Sequence, residues 1–182
     1  MFETVVGLDV PDEEAGRLAQ RGLSWLVAEG IVLPESSYDA DGTYEGPVYP
    51  RGPAWGARIT DDLRYGDTYG DLMVVTGRTV FHVPPEENER PVCPRCSTAV
   101  EGTGSEGLFA VVEAWMATGV GDVRCAACGG VSRVPEWRWE HDSFAFSSLG
   151  FTFWNAPPLR AGFREELSRV LDIPTCVVRG KL

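Results

Sequence analysis

Long apolar runs are missing from this chain. Nowhere in its 182 residues do apolar side chains approach the ~18 in succession that a membrane-spanning helix needs. The opening Met1-Phe2-Glu3-Thr4 has neither the basic cap nor the apolar core of a secretory leader, which predicts a cytoplasmic chain. Basic side chains are scarce, 16 against 27 acidic ones, and Lys181 is the only lysine. A net charge of −11 repels phosphate backbones, so nucleic acid is a disfavoured partner and a basic protein surface a favoured one. Histidine is scarcer still, with His82 and His141 the only two. No serine–histidine–carboxylate or cysteine–histidine signature supports nucleophilic catalysis. Gly180-Lys181 lacks the upstream glycine and the following hydroxyl residue of a phosphate-binding loop, which removes an ATPase reading.

What the chain does have is enough apolar and aromatic matter for a core: 43% hydrophobic and 10% aromatic residues, ordinary for one soluble domain. The acidity is uneven. Residues 1–90 hold 17 acidic and 7 basic side chains, whereas 91–182 hold 10 and 9. Phe2, Thr4, Val6 and Leu8 alternate with Val5 and Gly7 as in a β-strand. Pro11-Asp12-Glu13-Glu14 then opens a helix with acids at the positive end of its dipole. Leu18, Ala19, Gly22, Trp25 and Leu26 recur at helical spacing, and Gly30 stands where a C-terminal cap belongs. Strand signals return at 72–75 and 79–83, with Thr76-Gly77-Arg78 either a hairpin turn or a bulge in one long strand. An aromatic stretch runs from Trp137 to Trp154, and its alternation changes phase near Ser147-Ser148 as a bulge would make it do. Phe163, Leu167, Val170 and Leu171 predict a second helix closed by Pro174, and 175–179 reads as a last strand. The order strand, helix, strand, strand, helix, strand predicts an α+β fold: a ferredoxin-like βαββαβ antiparallel sheet of four strands, interrupted by a cysteine module. The expected division is a core of 1–90 with 135–182, and an inserted module over 91–134.

Residues 34–70 follow no apolar period. Glycines and prolines punctuate them, and tyrosines and Trp55 are interleaved with acids. So long a connection is usually functional or disordered, and its aromatics argue against disorder. A loop of this kind presents rings and carboxylates to a basic partner, with Tyr44, Tyr49, Trp55, Asp61 and Asp62 the candidate contacts.

Cys93-Pro94-Arg95-Cys96 and Cys125-Ala126-Ala127-Cys128 are two Cys-x-x-Cys turns separated by 28 residues. Each offers two thiolates to one tetrahedral ion, which predicts one structural Zn²⁺ held by Cys93, Cys96, Cys125 and Cys128. Pro94 pre-sets the first turn, and Gly129-Gly130 permits the exit from the second. Four thiolates fill the coordination sphere and leave no position for water or substrate. The separation exceeds the usual ~15–20 residues, and the excess reads as an inserted helix capped by Ser105, with Leu108, Val111, Val112 and Trp115 apolar and Gly119 at its end. Over residues 91–130 this pattern resembles the rubredoxin-like zinc-ribbon knuckles found in many unrelated proteins. The whole chain is also similar to a group of small proteins from high-GC bacteria with no established activity. Phe2 to Val10, Gly77 to His82, the knuckles, and Phe151 to Pro158 carry that likeness.

Three functions follow from different features. The first is a non-catalytic interaction protein (adaptor, inhibitor or immunity-type) working through 34–70. The second is a nucleic-acid-binding zinc ribbon using Arg95, Arg124, Arg133 and Arg138, with Trp137, Trp139, Phe144 and Phe146 available to stack on bases. The third is an enzyme built on His82 and His141, which the topology brings near the base of the module. Cys176 reads as a buried free thiol rather than a nucleophile.

Overall fold

The computed structural model describes residues 1–36, 47–61, 70–82, 90–100, 105–139 and 143–180. Within them the chain forms β1 (Phe2–Gly7), α1 (Asp12–Ala28), β2 (Val48–Pro50), α2 (Trp55–Ile59), β3 (Asp71–His82), β4 (Pro91–Val92), α3 (Ser105–Thr118), β5 (Asp122–Arg124), β6 (Val131–Arg133), β7 (Arg138–Trp139), β8 (Phe144–Trp154), α4 (Ala161–Leu171) and β9 (Thr175–Gly180). Five strands make one antiparallel sheet in the order β2-β3-β8-β1-β9. Both chain ends enter it as neighbours, Phe2 opposite Gly180 and Gly7 opposite Thr175. No described helix is long and apolar enough to cross a membrane.

The expected four-stranded sheet is therefore corrected to five. Val48–Pro50 adds an edge strand on β3, with Val48 opposite Met73. Its three residues carry no period, and Pro50 sits on an edge, where a missing N–H donor is tolerated. Helix α2, five residues long, lies in the same glycine- and proline-rich stretch.

α1 and α4 lie on one side of the sheet. Leu18, Leu26, Phe163, Leu167 and Leu171 pack there against Val5, Leu149, Phe151 and Phe153, all of them buried. Gly30, in a left-handed conformation (φ 67°), ends α1 as its sequence position predicts. At Gly22 the helix comes so close to β8 that a Cβ would stand 2.5 Å from the Phe151 ring. The other side of the sheet has a smaller buried cluster of its own. Val6 lies on the face opposite Val5 and clusters with Phe81, Ala145 and Val178, and the Thr4 and Thr152 hydroxyls are hydrogen-bonded at 3.0 Å.

The sheet's curl accounts for this second core. β3 is one long strand rather than a hairpin. Thr76 faces Leu149 and Thr79 faces Ser147, so Gly77 and Arg78 together stand opposite Ser148. An extra residue on one strand bends it and strengthens its twist, and β3 bends far enough to approach β9, three places along the sheet. The phase change at 147–148 is thus the partner's side of a bulge whose extra residue belongs to β3.

Among the described residues Glu3 is the one acid deep in this frame. It accepts a hydrogen bond from the Leu159 N–H at 3.0 Å and pairs with Arg179 at 2.8 Å. Burial raises its pKa above the usual carboxylate range, and the Leu159 N–H and Arg179 only partly oppose that rise.

Two glycines of α1 separate packing from helix propensity. A Cβ at Gly16 would meet open space, with nothing within 4 Å, so Gly16→Ala gains about 0.5–1 kcal/mol. Gly22→Ala places the same methyl against Phe151 and loses about 1–2 kcal/mol net. Urea denaturation of the two variants reads the opposite signs; equal gains would mean that α1 does not sit on β8 this closely.

Candidate metal centre

The two Cys-x-x-Cys turns are the same local structure built twice. In the first, Ser97 N–H donates to the Cys93 carbonyl (2.9 Å) and Cys93 N–H to the Thr98 carbonyl (3.0 Å). In the second, Gly129 N–H donates to the Cys125 carbonyl (2.9 Å) and Cys125 N–H to the Gly130 carbonyl (2.8 Å). The flanking strands repeat the register, Val92 opposite Ala99 and Arg124 opposite Val131. The fifth position of each turn is left-handed, Ser97 at φ 57° and Gly129 at φ 70°. Glycine adopts that conformation freely and serine does not. The Cys-x-x-Cys spacing alone reveals neither Ser97 nor Thr98 as part of the centre; what ties them to it is their offset from Cys93, which matches that of Gly129 and Gly130 from Cys125.

The turns meet with all four sulfurs within 4.8 Å of one another. Cys93 Sγ lies 4.0 Å from Cys128 Sγ, and Cys96 Sγ 3.9 Å from Cys125 Sγ. These distances are too long for a disulfide. They match the edge of a tetrahedron, about 3.8 Å, around an ion with metal–sulfur bonds of about 2.3 Å. The donor set and its spacing therefore fit a single four-coordinate cation. Cys93 and Cys125 are buried, Cys96 and Cys128 exposed.

The thiols do not titrate alike. Thr98, through its side chain and its N–H, pulls Cys96 down to about 6. The Cys128 and Ala127 N–H groups lower Cys125. At Cys128 the Gly130 N–H works downward, but lost hydration and the neighbouring thiols outweigh it and push the group up to about 11. Four negative sulfurs at this spacing repel one another, and a divalent cation removes the conflict. A thioredoxin-type redox pair sits at a helix N-terminus; here the second turn runs into β6 instead.

A dedicated core backs the cluster. Trp115 of α3, Val123, Val134, Trp137, Trp139 and Phe146 surround Cys93 and Cys125, joined by Val80 and Phe144 from the far ends of β3 and β8. Gly119 (φ 77°) ends α3 as expected. Arg78, from the β3 bulge, donates to the carbonyls of Met116 (2.9 Å) and Ala117 (3.4 Å) at the end of α3 and pairs with Asp12 of α1 at 3.3 Å. It links three elements, and nothing in its sequence context marks it.

Several expected functional residues have other positions. Trp137, Trp139 and Phe146 are buried in this core, so they present no stacking platform for bases. Arg95 and Arg124 donate to the carbonyls of Val131 and Gly129, Arg133 pairs with Glu136, and Arg138 donates to the Pro135 carbonyl. Trp55, expected to face a partner, is corrected: only 2% exposed, it packs on Phe153 in the main core. Hydrophobic area removed from water outweighs what an indole gains at the surface. Tyr49 is half-buried against the same core, and Asp61 is exposed. Tyr44 and Asp62 lie outside the described residues. His82 is exposed and stacked on Phe144, with ring centroids 5.7 Å apart; His141 lies outside the described residues.

The repeated turn predicts an asymmetric response at its fifth position. Ser97→Gly relieves a left-handed serine and raises stability by up to about 1 kcal/mol, whereas Gly129→Val lowers it by about 1–2 kcal/mol. Thermal melting of both variants in metal-replete buffer is the measurement. No family model, no curated protein sequence and no solved structure matches this chain, so the likeness to small proteins of high-GC bacteria finds no support in these comparisons.

Proposed function

We propose that this chain is a non-catalytic zinc protein: one structural Zn²⁺ closes an inserted zinc-ribbon module, and the protein acts by binding another protein in the bacterial cytoplasm. The observation that carries the metal assignment is the pair of equivalent Cys-x-x-Cys turns with their four sulfurs at tetrahedral spacing. All four ligand positions are thiolates, which leaves the ion without an open site and gives it a cross-linking role. The frame around the module reads as ferredoxin-like. Setting β2 aside, the order β3-β8-β1-β9, with α1 following β1 and α4 following β8, supports that reading.

The acidic segment 34–70 remains the proposed contact surface, for a basic partner. The exposed Asp61, with Tyr44 and Asp62, carries that role, while Tyr49 and Trp55 hold the segment's described part on the sheet. A surface of this charge favours fast, salt-sensitive association.

Elemental analysis of purified protein should find about one zinc per chain, and Cys93→Ser or Cys128→Ser should lower metal content and melting temperature together. A stable wild type without metal, or a red iron-loaded one, ends the zinc assignment. For the partner, Tyr44→Ala with Asp61→Arg and Asp62→Arg should remove a specific captured protein while zinc content and melting stay at wild-type values. Trp55→Ala should behave oppositely, losing about 3–5 kcal/mol of stability. Capture that survives the triple change moves the contact surface elsewhere.

A further inference from the structure

We propose that the cleft between α4 and β9 binds a small molecule bearing a doubly charged oxyanion, a phosphate monoester or a dicarboxylate. The cleft is a cavity of about 430 Å³, within the size range of small-molecule sites. Arg160, Arg164 and Arg179 line it, and no acidic residue is among its described walls. In a chain of net charge −11 that placement is unusual. The choice of arginine over lysine carries no weight, since all but one of the 16 basic residues are arginine; the convergence of three of them does.

Two of the three guanidiniums are already held in place. Arg160 uses Nε on the Arg58 carbonyl (2.7 Å) and Nη2 on both Glu166 oxygens (3.0 Å each), which leaves Nη1 uncommitted among the described residues. Arg179 uses Nε on the buried Glu3 and keeps its terminal nitrogens uncommitted among the described residues. Arg164 forms no ion pair among the described residues. Three guanidiniums against two carboxylates leave a local surplus of one positive charge, and the ion pairs fix orientation before any ligand arrives. Planar forks of this kind match phosphate and carboxylate oxygens in pairs. The cavity also meets the start of α4 at Ala161, one residue after Arg160 and ahead of the first intrahelical donor at Phe163. Leu159 and Val177 supply apolar wall for the body of the ligand. Glu3 becomes a positioning residue in this view, since it ties Arg179 to the Leu159 N–H across β1.

The test is isothermal titration of the intact, metal-loaded protein at constant ionic strength, with inorganic phosphate in one arm and succinate in the other. One saturable site is expected in at least one arm, and the tighter arm names the oxyanion. Arg164→Ala should weaken it about tenfold, the loss of one charge-assisted pair, without moving the melting temperature. Arg169→Ala, on the same helix but outside this cavity, should change it by less than about twofold. Absence of saturable binding in both arms at millimolar concentration overturns the proposal. Equal losses for the two variants also overturn it, because the attraction would then be general charge rather than a site.

Discussion

The antiparallel ladder between β3 and β8 is the constraint on which the rest of the molecule hangs. Its Asp71–Thr76 half, paired with Leu149–Trp154, forms the floor for α1 and α4; its Thr79–His82 half, paired with Phe144–Ser147, backs the cysteine turns. Between the halves, Gly77 and Arg78 crowd against Ser148 and bend the sheet. That one irregularity has three consequences. It curls β3 toward β9, so that Val6, Phe81, Ala145 and Val178 are buried on the second face, and it turns Val80 and Phe146 into the core beside the cysteines. It also puts Arg78 where it can grip the end of α3 and the start of α1 together.

The metal centre is stabilised by a different balance. Backbone N–H groups and Thr98 favour thiolates at Cys96 and Cys125, while crowding holds Cys128 protonated. Thiolates this close repel one another, and a divalent ion removes that repulsion. An ion held there would join two short hairpins, of which the second has only three paired residues per strand and is too small to stand alone. Trp115, Trp137 and Trp139 cover the buried side of the cluster and leave Cys96 and Cys128 at the surface.

Burial also limits what the aromatic residues can do. Aromatic residues are versatile in a sequence, since the same ring can stack on a base, anchor a partner or fill a core. In this chain Trp55, Trp137, Trp139 and Phe146 fill cores. The arginines that a nucleic acid would need are engaged with carbonyls or with Glu136. Three others, spread along the sequence from Arg160 to Arg179, converge on one cleft.

Strong local signals were legible in the residue string. The Cys-x-x-Cys pairs, the helices around Leu18–Leu26 and Phe163–Leu171, the strand at Phe2, the Gly30 and Gly119 ends and the phase change at Ser147-Ser148 each rest on spacing within a few residues. Covalent geometry and backbone period dictate such spacing, so these features can be read without knowing the fold. The edge strand Val48–Pro50, the inward turn of Trp55, the side of the bulge, the equivalence of Ser97 with Gly129 and the grip of Arg78 on α3 arise only in three dimensions. Each depends on which distant segment comes to lie alongside, and the area buried there outweighs anything the local sequence prefers.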